Sequence, residues 1–252
     1  MCAAFDPRQF NRLNDYIDAL RAYEFNRGYQ PLHAGLYRYA SLPDQSKQQF
    51  QQEIIHPDLY YAKRSGEWRW VLSEPIYEVY QFPLLRPDFC RTLIEEAEHF
   101  DHWLGVHIGP NEKDYHPTTD VRLASMPGFD NANEKPVNEL YVDLLRKYVG
   151  PIIDHVWSYQ VKLWRWSFIA RYTPGEQPFL GFHHDDCTCA CVVALNESGK
   201  EYQGGGTFFE KFAFVDEKPI GYATIHPSKL THRHGAARVT SGTRYALNTF
   251  ID

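Results

Sequence analysis

The stretch GFHHDDCTCACVVALN, residues 181–196, sets two histidines and two aspartates side by side, directly ahead of a small and apolar run. The run is short and rich in Cys, Ala and Val, which suits a buried β-strand. The polar quartet at its head then lies where a strand begins or ends. Residues i and i+2 of a strand project to the same side. Both His183-x-Asp185 and His184-x-Asp186 therefore present an imidazole and a carboxylate together, and spacing alone does not choose between them.

Iron(II) oxygenases hold their metal with two imidazoles and one carboxylate on one face, leaving positions open for cosubstrate and O₂. A His-x-Asp pair supplies two of these ligands, and the third comes from a distant strand. Downstream, HRHGAARVTSGTR offers His232 and His234, with Arg244 ten residues beyond His234. On adjacent strands that spacing brings a guanidinium into a barrel, where it can grip a carboxylate with two parallel hydrogen bonds. The competing reading, a solvated charged turn, explains HHDD alone but not the later histidine and arginine.

Around this stretch the chain changes texture. WRWSFIARY, CTCACVVALN, GGGTFFEKFAF, IGYATIH and TRYALNTFI are short β-rich runs split by turn residues, the pattern of a sandwich or barrel. The first 60 residues are instead helical, with Phe10, Leu13, Tyr16, Ile17 and Leu20 on one stripe, and SKQQFQQEI (46–54) continues the helical segment. EWRWVLSEPIYEVYQF (67–82) reads as short strands. PDFCRTLIEEAEHF (87–100) is predicted to be a helix, and so is PVNELYVDLLRKYV (136–149), ended by Gly150-Pro151. Long loops are expected over 105–135. Helices first and strands later is an α+β arrangement.

Composition limits the function. The 252 residues carry a net charge of −6, which argues against a generic nucleic-acid binder with its basic stripe. No run approaches the roughly 18 apolar residues of a membrane span. MCAAFDPRQF lacks the basic segment and apolar core of a signal peptide. Cys187, Cys189 and Cys191 alternate along one strand face, poorly aimed for disulfides, and no second cluster stands at zinc-ribbon spacing. A cytoplasmic, reducing location is expected, with the endoplasmic reticulum the alternative if the chain is part of a larger protein. The triple glycine at 204–206 lacks the Lys-Ser/Thr of a phosphate loop and is read as a tight turn. The two WRW triplets (68–70 and 164–166) are read as core packing. The other histidines, His33, His56, His99, His102, His107, His116, His155 and His226, show no partner pattern.

ARYTPGEQP, HHD, VALN, QGGGTFF, HPSKLTHRHG and GTRYALNTFID together resemble the C-terminal catalytic domain of the collagen lysyl hydroxylases, the procollagen-lysine 2-oxoglutarate 5-dioxygenases. FPLLRPDFC, EEAEHF and HPTTDVRL extend the resemblance upstream, so that it covers residues 58–252 in order. Residues 1–57 are read as a helical extension. The resemblance implies a double-stranded β-helix (a jelly-roll, cupin-like barrel, its core about 160–252) braced by the N-terminal helices. It selects His183, Asp185 and His234 as ligands of Fe(II), and Arg244 as the partner of the distal carboxylate of 2-oxoglutarate. Tyr172 is a further candidate for holding that cosubstrate. The implied reaction consumes O₂ and 2-oxoglutarate, with ascorbate as reductant, releases succinate and CO₂, and turns peptidyl-lysine into 5-hydroxylysine. Asp120, Trp166 and Asp186 are candidates to receive the lysine ammonium. The resemblance also suggests a homodimer. The chain departs from the family where Thr207 and Phe214 stand near cysteine positions and where Val192 replaces an asparagine. Those departures keep two alternatives open: an oxygenase acting on another residue, a free amino acid or a small molecule, and a barrel that binds without turnover.

Overall fold

The computed structural model describes residues 12–105, 118–128 and 130–252. Phe10, His107 and His116 lie outside them. The N-terminal part folds into α1 (Leu13–Asn26), α2 (Ala34–Arg38), α3 (Asp44–Ile54) and α4 (Pro57–Ser65). Then come β1 (Ser73–Ile76), β2 (Val79–Pro83), α5 (Pro87–Phe100), β3 (Asp120–Arg122), α6 (Pro136–Leu144) and α7 (Gly150–Trp157). The remainder is β4 (Trp164–Tyr172), β5 (Leu180–His183), β6 (Cys189–Ala194), β7 (Tyr202–Gly204), β8 (Thr207–Phe209), β9 (Phe214–Asp216), β10 (Tyr222–Pro227), β11 (His234–Ala236), β12 (Val239–Gly242) and β13 (Arg244–Ile251). The class is α+β.

A seven-stranded antiparallel sheet has the order β1-β2-β10-β6-β13-β4-β3, and a four-stranded one the order β5-β11-β8-β9. A separate two-stranded ribbon has the order β12-β7. The large sheet is covered on both sides, which explains why every residue of β6 is buried. Cys189, Cys191 and Val193 join Ile169, Leu247 and Ile251 in the main core, packed with Tyr16, Ile17 and Leu20 of α1. Ala190 and Val192 point the other way, into the space facing the small sheet. One strand thus serves two layers by strict alternation.

The N-terminal helices are fastened to this core by a buried carboxylate. Glu96 on α5 is fully inaccessible and accepts hydrogen bonds from Tyr29 (2.5 Å), Tyr37 (2.9 Å) and the backbone N–H of His33 (2.7 Å). Three donors offset the cost of burying the charge. The described cysteines, Cys90, Cys187, Cys189 and Cys191, are free and buried. Among the described residues no helix is long and apolar enough to cross a membrane.

Three expectations are corrected. Trp68–Trp70 is a 3-10 turn, not a strand, because Gly66 ends α4 in a left-handed conformation (φ 74°) and the triplet finds no strand partner. The helix beginning at Pro136 does not stop at Gly150-Pro151. A π turn over Leu145–Val149 carries it into α7 and on to Trp157. In a regular helix the Pro151 ring would strike the carbonyl four residues back, and the wider turn moves that carbonyl aside. Residues 120–122, expected in a loop, form edge strand β3 by pairing with β4. The glycines at 204–206, read as a tight turn, have φ of 73°, 75° and 92° and link β7 to β8.

Candidate metal centre

His183 is the last residue of β5 and His234 the first of β11, and these two are direct partners in the antiparallel pairing. Their ring centroids stand 4.6 Å apart. Asp185, just past the end of β5, turns its carboxylate between them. Its Oδ1 is 3.2 Å from His183 Nε2, and its Oδ2 is 3.5 Å from His234 Nε2. One ligand atom from each residue lies within 4.8 Å of the others, the separation of groups able to share one metal ion. Among the described residues this is the one group of that kind found.

The far side of each imidazole is also determined. His183 Nδ1 donates to the Gly181 carbonyl at 2.8 Å, and His234 Nδ1 donates to the His232 carbonyl at 2.9 Å. A carbonyl only accepts, so both rings carry a proton on Nδ1 and turn Nε2 inward, toward Asp185. This is the backbone support that metal-binding histidines commonly have. Burial alone would raise the Asp185 pKa. The hydrogen bond from His183 and the neighbouring imidazoles outweigh it and hold the carboxyl down at about 2. Burial pushes the His234 pKa down, while the Asp185 bond outweighs burial at His183 and pushes its pKa up.

The neighbours His184 and Asp186 are exposed. Asp186 pairs with Lys229 at 3.4 Å on the surface. His232 is turned away, its Nε2 donating to the Tyr77 carbonyl at 2.9 Å and its ring stacked on Phe212. The fold therefore brings together one member of each ambiguous pair. His226, which showed no partner pattern in sequence, is fully buried on β10 with its ring 4.6 Å from that of His234. Burial lowers its pKa to about 3, so it is neutral near pH 7.

The triad opens into a cavity of about 600 Å³ between the two sheets, and Arg244 and Tyr172 line the same cavity. Arg244 begins β13 and is 5% exposed. Its guanidinium stands 5.3 Å from the centre of the Tyr172 ring and lies near Tyr202. No carboxylate pairs with it among the described residues. Gly205 lets the loop close over it, since a Cβ there would lie 3.0 Å from Arg244 Cδ. Tyr172 is buried, which pushes its hydroxyl pKa up to about 12 and keeps it a neutral donor. The space itself comes from small side chains, Ala190, Ala236 and Ala246 among them.

Asp120, Trp166 and Asp186 line this cavity as well. Asp120 is not bare: Arg122 lies 3.2 Å from its Oδ1 and Thr118 donates to its Oδ2 at 2.7 Å. Sequence reasoning missed Thr207 and Asn248, both cavity-lining. A signal for Asn248 exists, because it is a polar residue at an inward position of TRYALNTFI. It is the direct cross-strand partner of Val192, so a carboxamide stands beside the place where the family asparagine was expected.

The chain is 35% identical over 231 residues to the multifunctional procollagen lysine hydroxylase and glycosyltransferase LH3 of Rattus norvegicus, covering 88% of this chain and 29% of that protein. The procollagen-lysine,2-oxoglutarate 5-dioxygenase 1 of Gallus gallus is 31% identical, with the same coverage of 88% and 29%. The chain is a homologue of the collagen lysyl hydroxylases. It spans about 29% of the length of these relatives. A stretch covering 88% of the chain is longer than residues 58–252, so the homology reaches into the N-terminal helices. There a family model described as an OGFOD2-like domain matches residues 25–116.

Two solved structures share the fold at low identity. One is the viral collagen prolyl hydroxylase of Paramecium Bursaria Chlorella virus-1 in its 2OG complex, with TM-score 0.50 and 18% identity, covering 69% of this chain and 96% of that one. The other is a Pseudomonas putida prolyl-4-hydroxylase, with TM-score 0.50 and 16% identity, covering 69% and 92%.

Proposed function

We propose that this lysyl hydroxylase homologue is an Fe(II)- and 2-oxoglutarate-dependent dioxygenase that hydroxylates lysine side chains of a polypeptide, with release of succinate and CO₂. One observation carries the reading: a buried arginine with no carboxylate partner among the described residues faces the same cavity as a two-histidine, one-carboxylate cluster. A buried cation is retained where something outside the chain pairs with it. Here that something is a dicarboxylate chelating the metal at one end and meeting Arg244 at the other. The proposal takes the two sheets as the halves of a double-stranded β-helix, with residues 58–252 as the dioxygenase domain and α1–α3 bracing it. A homodimer belongs to the same proposal and is tested by sedimentation.

The donor set suits the metal. Two imidazoles and one carboxylate are the ligand class of non-haem Fe(II) oxygenases. When bound, the iron supplies O₂ activation and the hydroxylating chemistry. The chain's part is different. His183, Asp185 and His234 hold the ion at the cavity wall, the backbone carbonyls of Gly181 and His232 hold the rings, and Arg244 orients the cosubstrate. Trp166, Phe168 and Phe250 form an apolar approach that limits water around the target carbon. Asp120 is the candidate partner for the substrate ammonium.

The test is to incubate the protein with Fe(II), ascorbate, 2-oxoglutarate and O₂, offering collagen-like and other lysine peptides. Succinate and peptides heavier by one oxygen atom are measured together. Succinate without any hydroxylated lysine would favour the second reading, an oxygenase for another residue or a small molecule. That reading has its own observation. Arg122 lies in the cavity over Phe168 (4.5 Å) and Trp166 (5.3 Å), on the aromatic faces a lysine ammonium would use.

The ligand choice is tested by adjacent residues. Asp185→Ala is expected to weaken metal binding by about 100-fold or more, since even losing a group that only supports a ligand costs 10- to 100-fold. Asp186→Ala, one residue on, removes a surface ion pair worth less than about 1 kcal/mol and leaves metal affinity near the parent value. Equal losses in the two variants, measured by calorimetric metal titration, would refute the choice.

A further inference from the structure

Residues 244, 246, 248 and 250 of β13 all face the cavity, whereas Leu247 and Ile251 belong to the main core on the opposite side. The inward row thus reads Arg, Ala, Asn, Phe. Arg244 stands at one end of this row. Phe250, at the other, is in register with Ala190, Ala190 with His226, and the ring of His226 touches that of His234. The inward face of β13 therefore runs from the level of the buried guanidinium to the level of the triad. A dicarboxylate that meets Arg244 and points toward the triad would run beside part of this row. Ala246 gives it room, and Asn248 is the next inward position, one two-residue step or roughly 7 Å farther along the strand.

Asn248 is an unusual residue for its position. It sits near the middle of a central strand, between Val192 on one side and Phe168 on the other. Asparagine is disfavoured in strands. Its hydrogen bonding is also incomplete. Nδ2 donates to the Ala246 carbonyl at 3.1 Å, two residues back on its own strand. That uses one of the two amide hydrogens, and among the described residues the carboxamide makes no other hydrogen bond. Asn248 is half-buried and lines the cavity, so its remaining N–H is open to a group bound there. Arg244 serves the far end of a bound dicarboxylate. The near end needs a donor that adds no charge to a metal site already holding one carboxylate, and the free N–H of Asn248 is such a donor.

We propose that Asn248 is a positioning residue for the cosubstrate: its second amide N–H donates to the carboxylate that 2-oxoglutarate presents at the metal end of the cavity. The inference rests on the dioxygenase reading above and adds to it the group that fixes the reacting end of the cosubstrate. It acts by orientation, so its loss changes both the affinity for 2-oxoglutarate and the match between cosubstrate consumed and substrate hydroxylated.

The experiment uses the whole chain loaded with Mn(II), a redox-silent stand-in, and measures 2-oxoglutarate binding by calorimetry for the parent, Asn248→Val and Asn248→Asp. Valine is accepted by the surrounding surface, as Val192 beside it demonstrates, and thermal melting checks each fold. The expected result is a dissociation constant raised about tenfold or more in Asn248→Val, the range for a hydrogen bond to a charged group. Asn248→Asp is expected to weaken binding further, through repulsion between carboxylates. In Fe(II) assays, Asn248→Val is expected to release more succinate per hydroxylated product than the parent. Dissociation constants within twofold of the parent in both variants would overturn the proposal. So would tighter binding in Asn248→Asp, which would mean that the carboxamide faces a cation. A parent protein that binds metal but takes no 2-oxoglutarate would instead overturn the dioxygenase reading itself.

Discussion

Replacing Arg244 by methionine is expected to raise the 2-oxoglutarate concentration needed for half-saturation by roughly 30- to 4000-fold, with no loss of thermal stability. The first half follows from the energy of a buried, charge-assisted pair, about 2–5 kcal/mol when one partner is truncated. The second half follows from the unliganded protein. Arg244 is almost inaccessible and meets the Tyr172 ring, with Tyr202 nearby, but no carboxylate among the described residues. A buried cation without a counter-charge is a cost to folding. Methionine keeps much of the apolar stem and removes that cost, so the melting temperature holds or rises. Arg244→Lys retains the charge but not the planar fork, and falls between the two in affinity. A variant that loses stability while keeping its affinity for 2-oxoglutarate would show that Arg244 is a structural residue and not a binding group.

The second large effect lies away from the triad. Asp216 on β9 and Lys218 are both buried, with Lys218 Nζ 2.5 Å from Asp216 Oδ2. Thr224 of β10 donates to the same oxygen at 2.7 Å, and Gln81 of β2 donates to the other. The group ties the small sheet to the large one. Lys218→Met is expected to cost about 3–5 kcal/mol, because it leaves a carboxylate buried without its cation. For a chain of this size that lowers the melting temperature by roughly 6–20 °C. Asp216→Asn added to Lys218→Met keeps an acceptor for Thr224 and Gln81 without the charge, and is expected to recover most of the loss. If the double variant were no better than the single one, packing and not charge would account for the effect.

The same pair predicts a change of sign with pH. Burial tends to raise the Asp216 pKa, but Lys218, Thr224 and Gln81 outweigh it and hold the pKa below the ordinary carboxyl value. A depressed acid contributes stability that is present above its unfolded pKa of about 4 and fades as the pH falls through the folded value. Without Lys218 the burial effect is left less opposed, and the folded pKa rises above the unfolded one. Stability is then greatest in acid and is lost as the pH rises through about 4 toward the raised value. Lys218→Met should therefore be closest to the parent near pH 4 and furthest from it near neutrality, in thermal melts across that range.

What was legible in the sequence was local. Alternation marked the strands of the C-terminal half, the apolar stripe of α1 is visible from Leu13 to Leu20, and the HHDD cluster announced itself as chemistry. WRW at 68–70 misled because two tryptophans flanking a charge imitate a strand where no partner strand exists. Gly150-Pro151 misled because a π turn is a tertiary accommodation with no sequence signature of its own. His226 and Asn248 were passed over for a common reason. A lone histidine or asparagine means little until the register shows what stands opposite it.

By itself the sequence determined which residue types are present and how they repeat, and with them the α+β class and a short set of candidates around 183–186 and 232–244. Only the tertiary structure decided which members of that set meet. His183 meets Asp185 and His234 while His184 and Asp186 stay exposed at the cavity mouth, because β5 and β11 pair in one register and a one-residue slip would reverse every side chain. The unmatched charge of Arg244, the pairing of Asn248 with Val192 and the bond between Asp216 and Lys218 were decided at the same level. Periodicity is a property of neighbours along the chain, whereas burial and cross-strand contact depend on residues far apart in it.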